Sequence, residues 1–471
     1  MAATMFESRP IPGPQLRRVG GYRGYLRAFE REPLAYVKET FQAYGAVSGL
    51  VAGDTRLIFA LGSAGNERLR ADPRLFGPPA PETRSAGLTS TTIARLAAWS
   101  RTREHDQELA RAWRAELANP AASPAYQHLV VETAERVAER WGLGQQLDLL
   151  YVSRRLHLRI LFKALLGIDP TNEPGATLLD QWTNVLACRQ PGWLARLTEL
   201  AQRRTDRLFE QVVLARMGQA PQSDSAFPGD FLSRLEGEND AERHASDREA
   251  RIKQVAGLVH QAETILTSAL VWTIVLLAQH QRVLSDVRAE LDAVEADHQV
   301  STGHSFVAAE RLPLLERVIK ESLRLLPPLS LGLRQMAAPA DILDYALPPQ
   351  AAVLYSPYLT HQLSGLFVAP RRFRPERWLY IEPTADEYLP LGLADDSVLD
   401  LPFVMLHTKL VLALWLQHAR LVLAPSTRID YRLQPLLLPQ NAVPMIVAPR
   451  DRPQRLRPVR GSITTLVDFE G

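Results

Sequence analysis

Over most of residues 91–217 apolar positions recur at three- and four-residue spacing, as in Leu129, Val130, Ala134, Val137 and Trp141, and this period predicts helices. The longest clean helical stretch spans 247–281. Its ends are polar and its middle, through Ile265, Leu266 and Ala269 to Ala278, is nearly continuous in apolar residues, so the middle is expected to cross the protein interior. Further helices are expected over 33–44, 283–296, 312–326 and 401–421, with Pro327-Pro328 ending the third. Around the turn pair Gly53-Asp54, residues 46–60 read as a β-hairpin, and 342–358 read as β-rich. The tail to Val447 reads as extended, and 218–247 as a polar surface loop. With no repeat and no linker between these elements, the expectation is one domain over 1–471. It comprises an N-terminal segment with a β-rich lobe (1–90), a helical body (91–335) and a last part (336–471) with a β segment, a loop and a helix.

Composition narrows the class. The 471 residues are 46% hydrophobic and 23% charged, which is enough to bury a large core. Lys+Arg 54 against Asp+Glu 52 leaves +2, so nothing calls for nucleic acid or an anionic membrane. The opening residues hold no apolar run of signal-peptide length, and no apolar run reaches the ~18 residues of a spanning helix; a cytoplasmic location is expected. The single cysteine, Cys188, excludes an internal disulfide, a zinc ribbon and a four-thiolate iron–sulfur cluster.

The strongest constellation is Glu321-Ser-Leu-Arg324 followed some fifty residues later by Phe373-Arg-Pro-Glu-Arg377-Trp378. Glu and Arg at i, i+3 share a helix face, and a second Arg from a later loop closes a three-member ion network; a solvated surface pair is the plainer alternative. Together with Glu263-Thr264 on the long helix, Tyr355-Ser-Pro-Tyr358, Tyr388-Leu-Pro-x-Gly392 and Pro402-Phe-Val-Met-Leu-His-Thr-Lys-Leu410, these residues resemble the cytochromes P-450. The resemblance implies a mainly α, triangular fold with a small β-rich lobe, in which Glu321, Arg324 and Arg377 are structural.

The resemblance breaks where that family does its chemistry. Its members have a loop Phe-Gly-x-Gly-x-Arg-x-Cys-x-Gly whose thiolate ligates haem iron. Here the loop reads Leu391-Gly-Leu-Ala-Asp395-Asp396-Ser-Val398-Leu-Asp400, with Val398 at the ligand position. Cys188 is far away in sequence and His407 lies nine residues past the ligand position on the next helix. His260-Gln261 replace the usual small pair before Glu263-Thr264. Arg334 and His105 match positions that hold haem propionates in the family. Asp396 stands in place of a propionate-binding arginine, so haem is not expected.

Asp395, Asp396 and Asp400 form an Asp-Asp-x-x-x-Asp series, hard oxygen donors suited to Mg²⁺, and it resembles the aspartate-rich motif of class I terpene cyclases. The expectation is a Mg²⁺-dependent lyase that ionises an isoprenyl diphosphate. Glu263 supplies a further metal carboxylate, and His260, Gln261, Thr264, Arg334 and His105 contact substrate. Solvated acids are the plain alternative, with Asp400 an N-cap. Trp272 and Trp415 read as core aromatics. Two other functions stay open: a non-catalytic homologue that activates or partners a glycosyltransferase in natural-product biosynthesis, and an atypical haem monooxygenase.

Overall fold

The computed structural model describes residues 10–14, 19–52, 55–72, 76–77, 92–94, 96, 124–187, 195–217, 245–299, 311–338, 340–347, 351–393, 396–433, 435–451 and 458–469. Its helices are α1 (Val19–Arg31), α2 (Pro33–Tyr44), α3 (Ser63–Ala71), α4 (Pro124–Ala138), α5 (Leu149–Leu166), α6 (Gly175–Ala187), α7 (Ala195–Met217), α8 (Ala245–Gln279), α9 (Gln281–Gln299), α10 (Pro313–Leu325), α11 (Pro357–His361) and α12 (Leu401–His418). The strands are β1 (Val47–Ala52), β2 (Thr55–Ala60), β3 (Phe76–Gly77), β4 (Gln146–Asp148), β5 (Gly332–Met336), β6 (Ala340–Ile342), β7 (Tyr345–Leu347), β8 (Ala352–Tyr355), β9 (Arg420–Leu423), β10 (Tyr431–Leu433), β11 (Leu437–Pro439) and β12 (Pro444–Ala448). The mainly α architecture with a small β part matches the expected class.

The central helix α8 packs against α5, α7, α10 and α12. Within it, Glu249–Gln279 is long and apolar enough by its mean hydropathy of 1.5 to pass for a membrane-crossing segment, although polar residues interrupt its apolar run. That apolar window is wholly buried inside the protein, which makes α8 a core helix. Its polar interruptions are satisfied internally. Ser268 Oγ and Trp272 Nε1 both donate to the Leu437 carbonyl (2.7 and 3.0 Å), and Thr273 Oγ1 donates to the Ala269 carbonyl one turn back (2.7 Å). Trp272 and Trp415 are fully buried core aromatics.

Proline and capping chemistry set the ends of the neighbouring helices. Helix α10 begins with Pro313 in its first turn, where no N–H is needed, and stops before Pro327-Pro328. Helix α5 is capped by Asp148, whose carboxylate accepts from Leu150 N–H at 3.0 Å.

The five-stranded sheet runs β1-β2-β8-β5-β3. The hairpin expected around Gly53-Asp54 is β1–β2, in register Val47↔Ala60 to Ala52↔Thr55; the two turn residues themselves lie outside the described set. Strand β2 then pairs parallel to β8, and β8 antiparallel to β5, which joins chain segments some 300 residues apart. The β5–β8 register puts Gly332 opposite Tyr355 and Arg334 opposite Val353. A Cβ on Gly332 would lie 2.1 Å from the Tyr355 ring, so glycine is what lets that ring lie across the strand. The sheet thereby delivers Arg334 and Tyr355 to the loop at 390–400.

Candidate functional site around residues 390–400

Two buried ionic assemblies flank this region. In the first, Glu321 and Arg324 on α10 are wholly buried and make a bidentate pair, with both N···O distances 2.9 Å. Arg377 Nε donates to the same carboxylate at 2.9 Å, joined by Trp378 Nε1 (3.1 Å) and the backbone N–H of Arg374 (3.0 Å). The surface-pair alternative does not describe this arrangement. Sequence reasoning missed its extension through His361. Its Nδ1 lies 3.0 Å from the Arg324 carbonyl, and its Nε2 accepts from Leu389 N–H (3.0 Å). Burial, with Arg324 beside it, pushes the His361 pKa down to about 3, so the ring is neutral and ties α11 to the segment that leads into the loop.

The second assembly is the loop itself. Gly392 has φ +83, and a Cβ there would come within 2.2 Å of Leu329 and 2.7 Å of the Asp396 Cβ, so the sharp reversal requires glycine. The reversal folds Asp396 back until its carboxylate, 4% exposed as a residue, meets Arg334, the Tyr355 hydroxyl and Leu393 N–H (2.9 Å). The Arg334 guanidinium also lies over the Tyr355 ring, 5.9 Å from its centroid. Val398 is 2% exposed among core residues, and Ser397 Oγ accepts from Leu399 N–H (3.1 Å). Asp400 is exposed at the N-cap position of α12. Its carbonyl takes Val404 N–H (3.1 Å), but its side chain makes no capping bond.

The remaining expected site residues are dispersed. Glu263 faces α5, where Arg154 Nη1 donates to its carboxylate at 3.0 and 3.2 Å; Thr267 donates to it as well (2.8 Å), and Thr264 Oγ1 lies 3.1 Å from it. Thr264 Oγ1 donates to the His260 carbonyl (2.7 Å), and Gln261 is buried. His260 lines a cavity of about 690 Å³ between α6, α7 and α8, with Trp182, Leu186, Phe209, Ile252 and Ala256 as its apolar wall. Asp395, His105 and Cys188 lie outside the described residues.

These placements correct the magnesium expectation on physical grounds. Like-charged loop acids need a compensating cation, and Arg334 from β5 is that cation for Asp396. Glu263 is matched by Arg154 and does not join Asp396 and Asp400. Among the described residues no group of three or more His, Cys, Asp or Glu side chains is arranged to hold a metal ion.

Comparison with known proteins points the same way. The family profile described as Cytochrome P450 matches residues 179–445. Cyclooctatin synthase of Streptomyces melanosporofaciens is 30% identical over 339 residues, covering 69% of this chain and 72% of that protein. Cyclooctat-9-en-7-ol 5-monooxygenase of the same organism is 26% identical over 443 residues, covering 91% and 93%. A retinoic acid-bound cyanobacterial P450 superposes with a TM-score of 0.71 at 20% identity, over 94% of this chain and 99% of that one.

The expectation of a Mg²⁺-dependent terpene cyclase, a lyase acting on an isoprenyl diphosphate, is therefore overturned: the matching family is one of haem monooxygenases, which are oxidoreductases. The expectation that haem has no place falls with it at the level of the family. What is particular to this chain is how poorly its loop fits the thiolate mode of holding that group. The ligand position is a buried valine, which has no donor atom, and Arg334, the propionate partner by resemblance, closes on Asp396. No step can be routed through a thiolate on this loop.

Proposed function

Because this chain belongs to the cytochrome P450 family, we propose that it works in the oxidative metabolism of an apolar, terpenoid-class small molecule as a homologue that does not itself run thiolate-dependent monooxygenation and instead serves a partner enzyme. One observation carries this reading: Val398 is buried at the ligand position while Asp396 holds Arg334 from inside the loop. The names of the two Streptomyces relatives support the substrate class. The cavity beside His260 has the size and apolar wall for such a molecule. Its charged rim is balanced, with Arg203, Arg207 and Lys253 against Asp206, Glu210 and Glu249, which favours a neutral guest over a diphosphate. The pairing of β2 with β8 supports treating 1–471 as one domain.

The partner role, with a glycosyltransferase as the case that the resemblance supplies, predicts a stable complex with an enzyme encoded beside this chain. The purified protein, reduced and exposed to carbon monoxide, is expected to give no thiolate-type Soret band; such a band overturns the reading. A second reading, an atypical monooxygenase, is favoured by the retained Glu263–Thr264 contact of 3.1 Å. Hydroxylation of a terpenoid alcohol by this chain with a reductase, in the absence of a thiolate-type band, selects the second reading.

A further inference from the structure

Where α4, α5, α8 and α12 pack together, polar groups cross the core of the helical body. Tyr126, Arg154, His157, Glu263, Thr267 and His407 are each no more than 2% exposed. They form two strings. In one, Arg154 and Thr267 hold Glu263, and His157 Nδ1 lies 2.9 Å from Thr267 Oγ1. In the other, Tyr126 Oη lies 2.7 Å from His407 Nδ1. The strings meet at the two imidazoles, whose centroids are 5.1 Å apart with the rings tilted by 52°. Nε2 of each ring is buried and has no hydrogen-bond partner among the described residues. Ser153, one helical turn before His157 on the same face of α5, is wholly buried, and its hydroxyl likewise has no partner among them.

Counting protons assigns the tautomers. A hydroxyl has one proton to give. That of Thr267 goes to the Glu263 carboxylate, so Thr267 Oγ1 accepts from His157 Nδ1–H. Burial, then His407 and Arg154, hold His157 neutral, which leaves a lone pair on its Nε2. Burial likewise keeps Tyr126 a phenol, and its one proton goes to His407 Nδ1. His407 is neutral too, its pKa pushed down to about 3 by burial, and so carries its proton on Nε2. The two open atoms are therefore one acceptor and one donor.

We infer that His157 and His407 hold one small neutral protic molecule between them, water in the simplest case, which accepts from His407 Nε2–H and donates to His157 Nε2. At a centroid separation of 5.1 Å both open nitrogens are within reach of one bridging molecule. The guest joins the two strings into one chain from Tyr126 to Arg154, linking all four helices. A metal ion is the poorer occupant, because no third ligand of the usual kind stands by among the described residues.

The test uses the full-length protein labelled with ¹⁵N-histidine, observed by long-range ¹H–¹⁵N correlation at neutral pH, with His157→Gln and His407→Gln assigning the signals. Expected are an Nδ1–H tautomer for His157, an Nε2–H tautomer for His407, and a cross-peak from water to the His407 Nε2 proton. Two rings in the same tautomer, or a charged ring, overturn the inference. So does a direct N–H···N coupling between the rings without a water cross-peak. Should a glutamine variant fail to fold, Tyr126→Phe and Thr267→Val assign the same signals while keeping side-chain volume. Tyr126→Phe is expected to turn His407 into a mixture of tautomers and leave His157 unchanged; an unaltered His407 signal refutes the chain.

Discussion

The clusters around Glu321 and Asp396 obey one rule by opposite means. At Glu321 a buried carboxylate is shared among Arg324, Arg377, Trp378 and a backbone N–H, in the arrangement that the family resemblance leads one to expect. At Asp396 a carboxylate stands where the family has a base, and Arg334 and Tyr355 turn inward to meet it. Neither site leaves a buried charge alone, because an uncompensated ion in the interior costs several kcal/mol. The difference teaches where each countercharge comes from: the first cluster ties α10 to the 372–378 segment, whereas the second pins the loop to β5 and β8 of the sheet.

The largest expected effect breaks the first cluster. Arg324→Ala leaves Glu321 without its bidentate partner, and thermal or urea unfolding is expected to show a loss of about 3–5 kcal/mol. Acid acts on the same cluster through His361. Its pKa of about 3 lies below the unfolded value of about 6.5, so its contribution is fully present above about pH 6.5 and is lost as pH falls from there toward 3. The loss by pH 4 is on the order of a few kcal/mol, and His361→Gln should flatten the unfolding midpoint against pH over that window.

Asp396→Ala strands Arg334, and a loss of about 2–3 kcal/mol is expected, with Asp396→Asn smaller because the amide still accepts from Leu393 N–H. Equal stability of Asp396→Ala and the parent chain would mean that the loop does not close on Arg334. Asp400→Ala marks the lower end of the series. Its side chain is exposed and makes no capping bond, so the change is expected within about 0.5 kcal/mol, and added Mg²⁺ should leave the unfolding midpoint of every variant unmoved.

Legibility in the sequence followed the range of each interaction. Helix α2 and the cores of α8, α10 and α12 could be read because spacing, prolines and apolar periods are local signals. The Glu321–Arg324 pair is one helical turn long, and Arg377 entered through a recognisable loop. The Arg154–Glu263 pair spans 109 residues and carries no local mark, so from sequence alone Glu263 looks free to bind a metal. Asp396 misleads for the same reason: its countercharge arrives from a strand 62 residues earlier, through sheet register. His157 and His407 were equally invisible, since a buried histidine pair on two separate helices has no sequence period.

The seal on α8 sets a schedule for the growing polypeptide. Trp272 and Ser268 both close on the Leu437 carbonyl, which follows Trp272 by 165 residues. At a synthesis rate of about 5–20 residues per second, the apolar stretch of α8 leaves the ribosome roughly ten to thirty seconds before that acceptor exists. As it emerges, of the helices it packs against, only the earlier α5 and α7 are available to cover it. A chain cut short of residue 437 therefore leaves two buried donors of α8, Ser268 Oγ and Trp272 Nε1, without that acceptor.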